Sequence, residues 1–149
     1  MMQRKIIPDI VQRQNVCSLK KSDTALEGAK QLTGRHIAAL VIVDDAGKLI
    51  GIVTERDMTQ RLLAKEIDPK TTLLGDIMTK NPDTLAPDDS AADALELMQS
   101  RNYRHLPVTE NGRCVAVVSI RDLYAAVKSA LEEDIKETEA FVFGDRYGA

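Results

Sequence analysis

The sequence lacks tryptophan, and it also lacks the short motifs that mark several common enzyme classes. It has no glycine-rich phosphate loop, no Gly-x-Ser-x-Gly elbow and no His-Glu-x-x-His pair. Its only histidines, His36 and His105, belong to different halves of the chain, and no nucleophile can be paired with a base. The acidic pair Asp44-Asp45 is typical of a turn rather than of a metal site. The sequence therefore favours a protein that is not an enzyme.

Long apolar runs and an excess of basic residues are missing too. No stretch approaches the roughly 20 apolar residues of a spanning helix, and the N-terminus has no signal-peptide pattern. The net charge of −3 gives no general attraction to nucleic acid or anionic lipid. Cys17 and Cys114 lie in apolar runs without a metal-binding spacing, which favours buried, reduced thiols over a disulfide. We therefore expect a cytoplasmic protein with no membrane, nucleic-acid or metal partner.

One short stretch of the chain occurs twice. Residues 51–57 read Gly-Ile-Val-Thr-Glu-Arg-Asp, and residues 116–122 read Ala-Val-Val-Ser-Ile-Arg-Asp, so the numbering of the two copies is offset by 65. Each copy is an apolar strand that ends in a hydroxyl residue and runs directly into a helical pattern opened by charged residues. A strand, a Thr or Ser and an Arg-Asp pair, found twice in one small chain, indicate a repeated structural unit.

The elements around the two copies repeat as well. Gly47 and Gly112 show the same offset of 65, whereas the helix openings Thr24 and Ser90 are 66 apart, so one residue has been gained or lost between them. Val43 and Val108 also fit the offset of 65. In chain order, we predict strands at 16–19, 40–43, 49–53, 84–85, 105–108 and 115–118, and helices at 25–34, 55–65, 74–78, from 90 onward and from 120 onward. The chain is therefore an internal duplication of a β-α-β-β-α unit, and each unit is too small to close its own core.

The repeated pattern resembles a tandem pair of CBS domains, the cystathionine β-synthase type. The residues that carry the resemblance are the two Thr/Ser-x-Arg-Asp motifs and the segment Tyr-Arg-His-Leu-Pro-Val at 103–108. The resemblance implies an α/β fold in which two repeats pack as a pseudo-twofold pair with two clefts along the seam. It covers residues 6–66 as repeat one, 67–73 as a connector and 74–131 as repeat two, and leaves 132–149 as a C-terminal helical extension and aromatic tail. It further implies adenosine-containing ligands, frequent dimers and a stand-alone regulatory protein.

The two motifs predict contacts with a nucleotide. If Thr54 and Ser119 end strands where helices begin, their hydroxyls lie beside free N–H groups that favour phosphate. Asp57 and Asp122 would then offer carboxylate oxygens to the two hydroxyls of a ribose, and the family pattern implies the same roles. The alternative is that each Thr/Ser-x-x-Asp is only a capping box, which satisfies helix N–H groups and binds nothing.

Further candidate residues come just before the central strands. The resemblance implies that Arg104 and His105 meet phosphates, whereas the first copy has Ala39 and Leu40 at the corresponding places, so we expect unequal clefts. His105 could equally be a packed strand residue. The remaining candidates are Arg56 and Arg121, which could add charge or simply be solvated, and Ile37, Ala38 and Tyr103, which could enclose an adenine ring or belong to the core.

The end of the chain departs from a minimal pair of repeats. An apolar stripe at 123, 127, 131 and 135 continues the last helix, and Phe141-Val142-Phe143 and Tyr147 follow. We expect this extension to dock on a second subunit, so that the protein is a homodimer. The alternatives are that it packs on its own domain or is disordered.

These observations predict a sensor that binds AMP, ADP, ATP, NAD(H) or S-adenosylmethionine between its repeats and requires no cofactor for catalysis. A protein target that receives the signal is expected but not identified by the sequence. The alternative is a constitutive dimeric scaffold whose clefts are unused.

Overall fold

A computed structural model of the protein describes the backbone of residues 4–146 and the side chains of residues 4–140. In each repeat, the helix before the central hairpin begins directly after a hydroxyl residue that caps it: Thr24 Oγ1 accepts from Glu27 N at 3.2 Å, and Ser90 Oγ accepts from Asp93 N at 3.1 Å. The first half contains β1 (Ser18–Leu19), α1 (Ala25–Arg35), β2 (Ala39–Val43), β3 (Leu49–Thr54) and α2 (Glu55–Asp57), which continues as a π-helix (Met58–Leu63). The predicted mixed α/β fold of two repeats is confirmed.

The second half follows the same order, with differences at its beginning and end. It contains α3 (Leu74–Ile77), β4 (Thr79–Lys80), α4 (Ala91–Arg101), β5 (His105–Glu110), β6 (Arg113–Ser119) and α5 (Ile120–Arg146). The strand predicted at Thr84-Leu85 is wrong, because Leu85 makes only a single parallel bridge, to Val108. The sequence does not predict β4, since this strand has two residues and is defined only by its partner strand.

The first sheet combines strands from both halves. Its order is β1-β2-β3-β4, with β1 parallel to β2 and the other neighbours antiparallel. β2 is apolar and almost wholly buried, as expected for a strand covered on both faces. The second sheet is the hairpin β5-β6. Because β4 follows the connector but pairs with β3, the chain beyond the connector completes the sheet of the first repeat.

The two hydrophobic cores also exchange segments. Ile6, at the start of the chain, is 0% exposed in the core built by α4, β5, β6 and α5. Leu74 and Ile77, from α3, are buried in the core of the first repeat. Backbone hydrogen bonds hold both crossings: Ile6 N donates to Asp89 O at 2.9 Å, and Leu74 N to Asp23 O at 2.8 Å. Since each fully buried aliphatic side chain contributes about 2 kcal/mol, the exchange joins the repeats into one folding unit.

The residue gained between the repeats lies in the first hairpin turn. Ala39 pairs with Thr54 as His105 pairs with Ser119, so the strand positions before the turn are offset by 66 in the numbering. Past the turn, the offset is 65, since Leu49 and Cys114 occupy equivalent places opposite Val43 and Thr109. Two predicted equivalences are therefore wrong. Arg104 and His105 correspond to Ala38 and Ala39, not to Ala39 and Leu40, and Val43 corresponds to Thr109, not to Val108.

The last helix, α5, is 27 residues long and confirms the predicted helical extension. Its first part is anchored by the buried side chains of Leu123, Ala126 and Ala130. Every side chain from residue 131 to 140 is exposed, including Leu131 and Ile135, which are 55% and 56% accessible. The side chains of Phe141, Val142 and Phe143 and the whole of Tyr147 lie outside the described residues, so their docking stays a prediction.

The two cysteines differ in their surroundings. Cys17 is buried in the first core, whereas Cys114 is only partly buried, and both are free thiols. The expectation that both are buried is therefore met in full only by Cys17. Burial nevertheless raises the pKa of the Cys114 thiol to about 11, which keeps it protonated and unreactive at neutral pH.

Candidate functional site

The first motif forms a reciprocal cap where β3 passes into α2. Thr54 N donates to Asp57 Oδ2 at 2.9 Å, and Asp57 N donates to Thr54 Oγ1 at 3.3 Å. Asp57 is only 8% exposed, and its other oxygen, Oδ1, lies 3.6 Å from Arg61 Nε. One carboxylate oxygen therefore serves the helix end, as the capping-box alternative requires, while the other is held by a single long ionic contact.

The second motif repeats this geometry where β6 passes into α5. Ser119 N donates to Asp122 Oδ2 at 2.8 Å, and Asp122 N donates to Ser119 Oγ at 3.2 Å. Asp122 Oδ1 accepts no hydrogen bond from the described residues. The two caps are thus equivalent locally, and any difference between them must come from what each one faces.

The first cap faces a cavity of about 490 Å³ between the two repeats. From the first repeat, the cavity is lined by Thr54, Glu55, Arg56, Asp57, Gln60, Arg61, Ala38 and Ile52. From the second half, it is lined by Thr79, Pro82, Asp83, Asn102, Tyr103, Arg104, His105, Leu106, Ser119, Ile120 and Arg121. The structure therefore brings the first motif together with Tyr103, Arg104 and His105, which are distant in sequence.

Four arginines line the first cavity together with three carboxylates, Glu55, Asp57 and Asp83. Arg56, Arg104 and Arg121 make no salt bridge to any described residue, whereas Arg61 is held near Asp57. Arg56 Nη1 instead approaches the Asn102 carbonyl at 3.5 Å. Exposed guanidinium groups without carboxylate partners form a surface suited to phosphate. The free N–H groups predicted beside Thr54 are largely occupied, because Glu55 N donates to the Ala38 carbonyl at 2.9 Å and Asp57 N donates to Thr54 Oγ1.

The second cap faces another cavity, of about 640 Å³. This second cavity is lined by Gln14, Asn15, Val16, Cys17, Arg35, His36, Ile37, Ala38, Ala39, His105, Val117, Ser119, Arg121 and Asp122. Ile37 belongs to this cavity only, and Tyr103 to the first only, so the predicted adenine-contacting residues are divided between two places.

Sequence reasoning missed Arg35 and His36 as cavity residues. His36 ends α1 in a left-handed conformation (φ 54°), and Asn102 ends α4 in the same way (φ 57°). These two residues are 66 apart, so the offset of the helix openings would have located them. With the offset of 66, Arg104 and His105 still have alanines, Ala38 and Ala39, as their counterparts, whereas Arg35 and His36 correspond to Arg101 and Asn102. The basic residues of the first copy therefore lie three positions earlier than those of the second.

Four residues line both cavities: Ala38, His105, Ser119 and Arg121. His105 is partly buried, and this burial lowers its pKa, with Arg104 acting in the same direction. The negative charges of Asp122 and Glu55 oppose the shift but do not cancel it. At neutral pH, His105 is therefore largely uncharged, and Arg121 is the permanent positive charge in the shared wall.

Comparison with known proteins follows the same division into two repeats. The sequence profile of the CBS domain matches residues 6–64 and, a second time, residues 74–129. The chain belongs to the CBS-domain family. The two caps and their cavities are therefore features of a pair of CBS repeats, in which the second repeat supplies Tyr103, Arg104 and His105 to the cavity of the first motif.

Three relatives illustrate the family. The CBS domain-containing protein CBSCBSPB5 of Arabidopsis thaliana is 33% identical over 134 residues, which cover 87% of this chain and 24% of the relative. The CBS domain protein PAE2072 of Pyrobaculum aerophilum, solved in complex with AMP, is 29% identical with a TM-score of 0.69, covering 76% of this chain and 86% of that protein. The CBS domain pair of protein MJ0100, solved with 5′-methylthioadenosine and S-adenosyl-L-methionine, is 27% identical with a TM-score of 0.72, covering 78% and 91%.

The chain spans about a quarter of the length of the first Arabidopsis relatives that it matches. In residues 4–146, no helix has both the length and the hydrophobicity needed to cross a membrane. The same part of the chain holds no group of three His, Cys, Asp or Glu side chains arranged to bind a metal ion.

Proposed function

We propose that the protein is a non-catalytic sensor that binds an adenosine-containing anion between its two CBS repeats. The observation that carries this proposal is the first cavity, where the Asp57 cap meets three arginines that have no salt bridge to a described residue. The AMP complex of the Pyrobaculum relative and the S-adenosyl-L-methionine complex of MJ0100 support the adenosyl part of the ligand.

In the proposed complex, each part of the cavity meets one part of the ligand. Asp57 Oδ1 accepts hydrogen bonds from ribose hydroxyls, since Oδ2 is already used by Thr54 N. The phosphate lies against the guanidinium groups of Arg56 and Arg104, which line the same cavity. Tyr103 and Ala38, both partly exposed in the cavity, cover the base. AMP, ADP, ATP and NAD(H) share these groups, whereas S-adenosylmethionine lacks a phosphate and is the weaker candidate.

Ligand binding would regulate the protein by linking its halves. The ligand contacts residues of both repeats, so it favours the arrangement of the repeats in which those contacts are complete. The exposed end of α5 is the proposed dimer contact. A change in the arrangement of the repeats would be transmitted through this contact to a second subunit and to a protein target. A cytoplasmic location stays a prediction.

A constitutive scaffold remains the second candidate, because both caps are complete without a ligand. A thermal-shift titration with AMP, ADP, ATP, NAD(H) and S-adenosylmethionine, with GTP as the base control, separates the two. A ligand at a hundred times its Kd stabilises the folded state by about 2.7 kcal/mol, which raises the Tm by several degrees. A selective rise supports the sensor, and no rise with nucleotide-free protein supports the scaffold.

A further inference from the structure

Arg56 and Arg121 are equivalent by sequence but differ in what they face. Each lies two positions after the hydroxyl of its cap, and the offset of 65 relates one to the other. Arg56 lines only the first cavity, where its Nη1 is 3.5 Å from the Asn102 carbonyl. Arg121 lines both cavities. The pseudo-twofold symmetry of the repeats is therefore broken at these two guanidinium groups.

We propose that Arg121 is shared by the two cavities, so that an anionic ligand bound in one cavity weakens the binding of a second anion in the other. This inference rests on the proposed function and adds to it an order of filling and a coupling between the two sites. It assigns the coupling to one side chain, whose matched counterpart, Arg56, does not take part.

The number of guanidinium groups that can donate to a phosphate sets the order of filling. The first cavity is lined by Arg56, Arg61 and Arg104 in addition to Arg121, and also by three carboxylates, Glu55, Asp57 and Asp83. Asp57 forms a salt bridge with Arg61. Among the described residues, the second cavity has Arg35 besides Arg121, together with the carboxylate of Asp122. With the histidines neutral, the formal charges of the lining residues sum to +1 in each cavity (4 − 3 and 2 − 1), so the cavities differ in the number of guanidinium groups rather than in net charge. The first cavity is therefore expected to fill first, and the second cavity depends more strongly on Arg121.

Sharing one guanidinium between two phosphates has two costs. The five N–H donors of an arginine form a fixed fork, so donors aimed at one phosphate are not available to the other. Two anions drawn to the same guanidinium also repel each other across a short distance. His105 does not relieve this competition, since its imidazole is largely uncharged at neutral pH. Typical coupling between sites changes affinity about 5–150-fold, and we expect at least about tenfold here.

The sharing of Arg121 can be tested with inorganic pyrophosphate, which needs no adenosine site. Amide resonances report each cavity separately: Gln60 lines only the first, and Cys17 only the second. Arg121→Gln should weaken pyrophosphate binding at both reporters, whereas the matched Arg56→Gln should weaken it at Gln60 alone. Both arginines are exposed, so neither change is expected to unfold the protein. The inference is overturned if Arg121→Gln weakens pyrophosphate binding at only one of the two reporters. It is also overturned if pyrophosphate binds at neither reporter.

The coupling itself is tested with AMP. Asp57→Asn removes the proposed ribose contact of the first cavity, and the Kd at the Cys17 reporter should then tighten about tenfold relative to the natural protein. In an Arg121→Gln background the same change should tighten the Cys17 Kd clearly less than in the natural protein, because the two phosphates still repel each other but no longer compete for one guanidinium. In an Arg56→Gln background the tightening should persist. Adenosine, which has no phosphate, should show independent cavities. An unaltered Kd for AMP at the Cys17 reporter in Asp57→Asn overturns the coupling. If pyrophosphate binds but neither AMP nor adenosine does, the proposed function is overturned and the sharing of Arg121 stays supported.

Discussion

Lys48 Nζ donates a hydrogen bond of 2.6 Å to the Asn111 carbonyl and so joins the turn of the first hairpin to the turn of the second. The contact is reciprocal, since Arg113, the counterpart of Lys48, donates to the Ala46 carbonyl at 2.7 Å. Both turns contain a glycine with positive φ, and a Cβ on Gly47 would collide with the Arg113 guanidinium. The hairpins are thus clasped at their turns, whereas the two cavities lie at the opposite ends of the same strands.

The double variant Lys48→Ala/Arg113→Ala should loosen this clasp without unfolding the protein. Both hydrogen bonds of the clasp, with their two donors and two acceptors, are exposed to solvent. We therefore expect the free energy of unfolding, measured by urea titration, to fall by about 1 kcal/mol. The affinity for AMP should fall by a few fold, since the repeats are then less well held in the arrangement that binds it. Lys65→Ala, at an exposed lysine without a side-chain hydrogen bond to described residues, is the control, and an equal effect there would contradict the clasp.

Replacing the cap carboxylates separates ligand binding from helix capping. Asp57→Asn keeps an oxygen that can accept from Thr54 N, so the Tm should change by only a few degrees. The affinity for AMP in the first cavity, followed at the Gln60 amide, should fall at least about tenfold because a charged acceptor is lost. Asp93→Asn is the matched control, since Asp93 holds the same place in the Ser90 cap and lines neither cavity. Unchanged AMP binding in Asp57→Asn would remove the ribose assignment.

Shortening Ile6 tests whether the exchanged segments join the repeats. Ile6→Ala removes a side chain that is wholly buried in the second core, so the free energy of unfolding should fall by about 2–5 kcal/mol. Urea unfolding followed by far-ultraviolet circular dichroism should remain a single transition in both proteins. Two separate transitions, with only the second repeat destabilised, would show that the repeats fold independently. Ile67→Ala, at a residue that is 41% exposed, serves as the surface control and should change the stability little.

Local chemistry accounts for what the sequence could predict. Each helix cap depends only on residues three positions apart, and the cap hydrogen bonds form as the sequence predicts. The capping residues are Thr24, Thr54, Ser90 and Ser119. The pairing of β4 with β3 could not be predicted in the same way, because it depends on a partner strand that precedes the whole of α2, the connector and α3.

The sequence predicts the candidate site only in part, for a related reason. The motif residues and Arg104 follow from a single offset, but the longer first turn shifts the strand before it by one residue. That shift assigned the wrong counterparts to Arg104 and His105. Arg35 and His36 were missed for another reason: they lie at the end of α1, and only the packing of the repeats places them in the second cavity. Which side chains meet in a cavity between the repeats depends on the packing of two sheets, and a one-residue slip in the alignment of the repeats changes the answer.

The stability of the protein should fall as the pH decreases from about 7.5 to about 5.5, and His105 should contribute to the change. Burial lowers the pKa of His105 in the folded protein, so the unfolded chain, with a pKa of about 6.5, takes up the proton more readily. The contribution of neutral His105 to the stability is therefore fully present above the pKa that His105 has in the unfolded chain. It is lost as the pH falls through the lower pKa that His105 has in the folded protein. His105→Gln should flatten the pH dependence of the unfolding free energy in this window. A steeper fall in His105→Gln would contradict the sign.

The exposed end of α5 is the last feature with a testable role. Leu131 and Ile135 lie one helical turn apart, and Tyr124 lies two turns before Leu131, so the three exposed side chains follow one side of the helix. Residues 131–140 are helical, but all their side chains are exposed, so packing within one chain contributes little to the stability of this part of the helix. We therefore expect another surface to cover it. We expect this surface to pack against the same surface of a second subunit.

Light scattering should therefore report a dimer for the full chain and a monomer for a truncation after Leu131. Leu131→Asp/Ile135→Asp should have the same effect, because two carboxylates cannot be buried there without partners. Glu133→Gln/Glu137→Gln, which changes the charged residues nearby but keeps the apolar ones, should remain dimeric. A truncated chain that stays dimeric would exclude the end of α5 as the dimer contact, and AMP affinity measured on that chain would show whether binding depends on it.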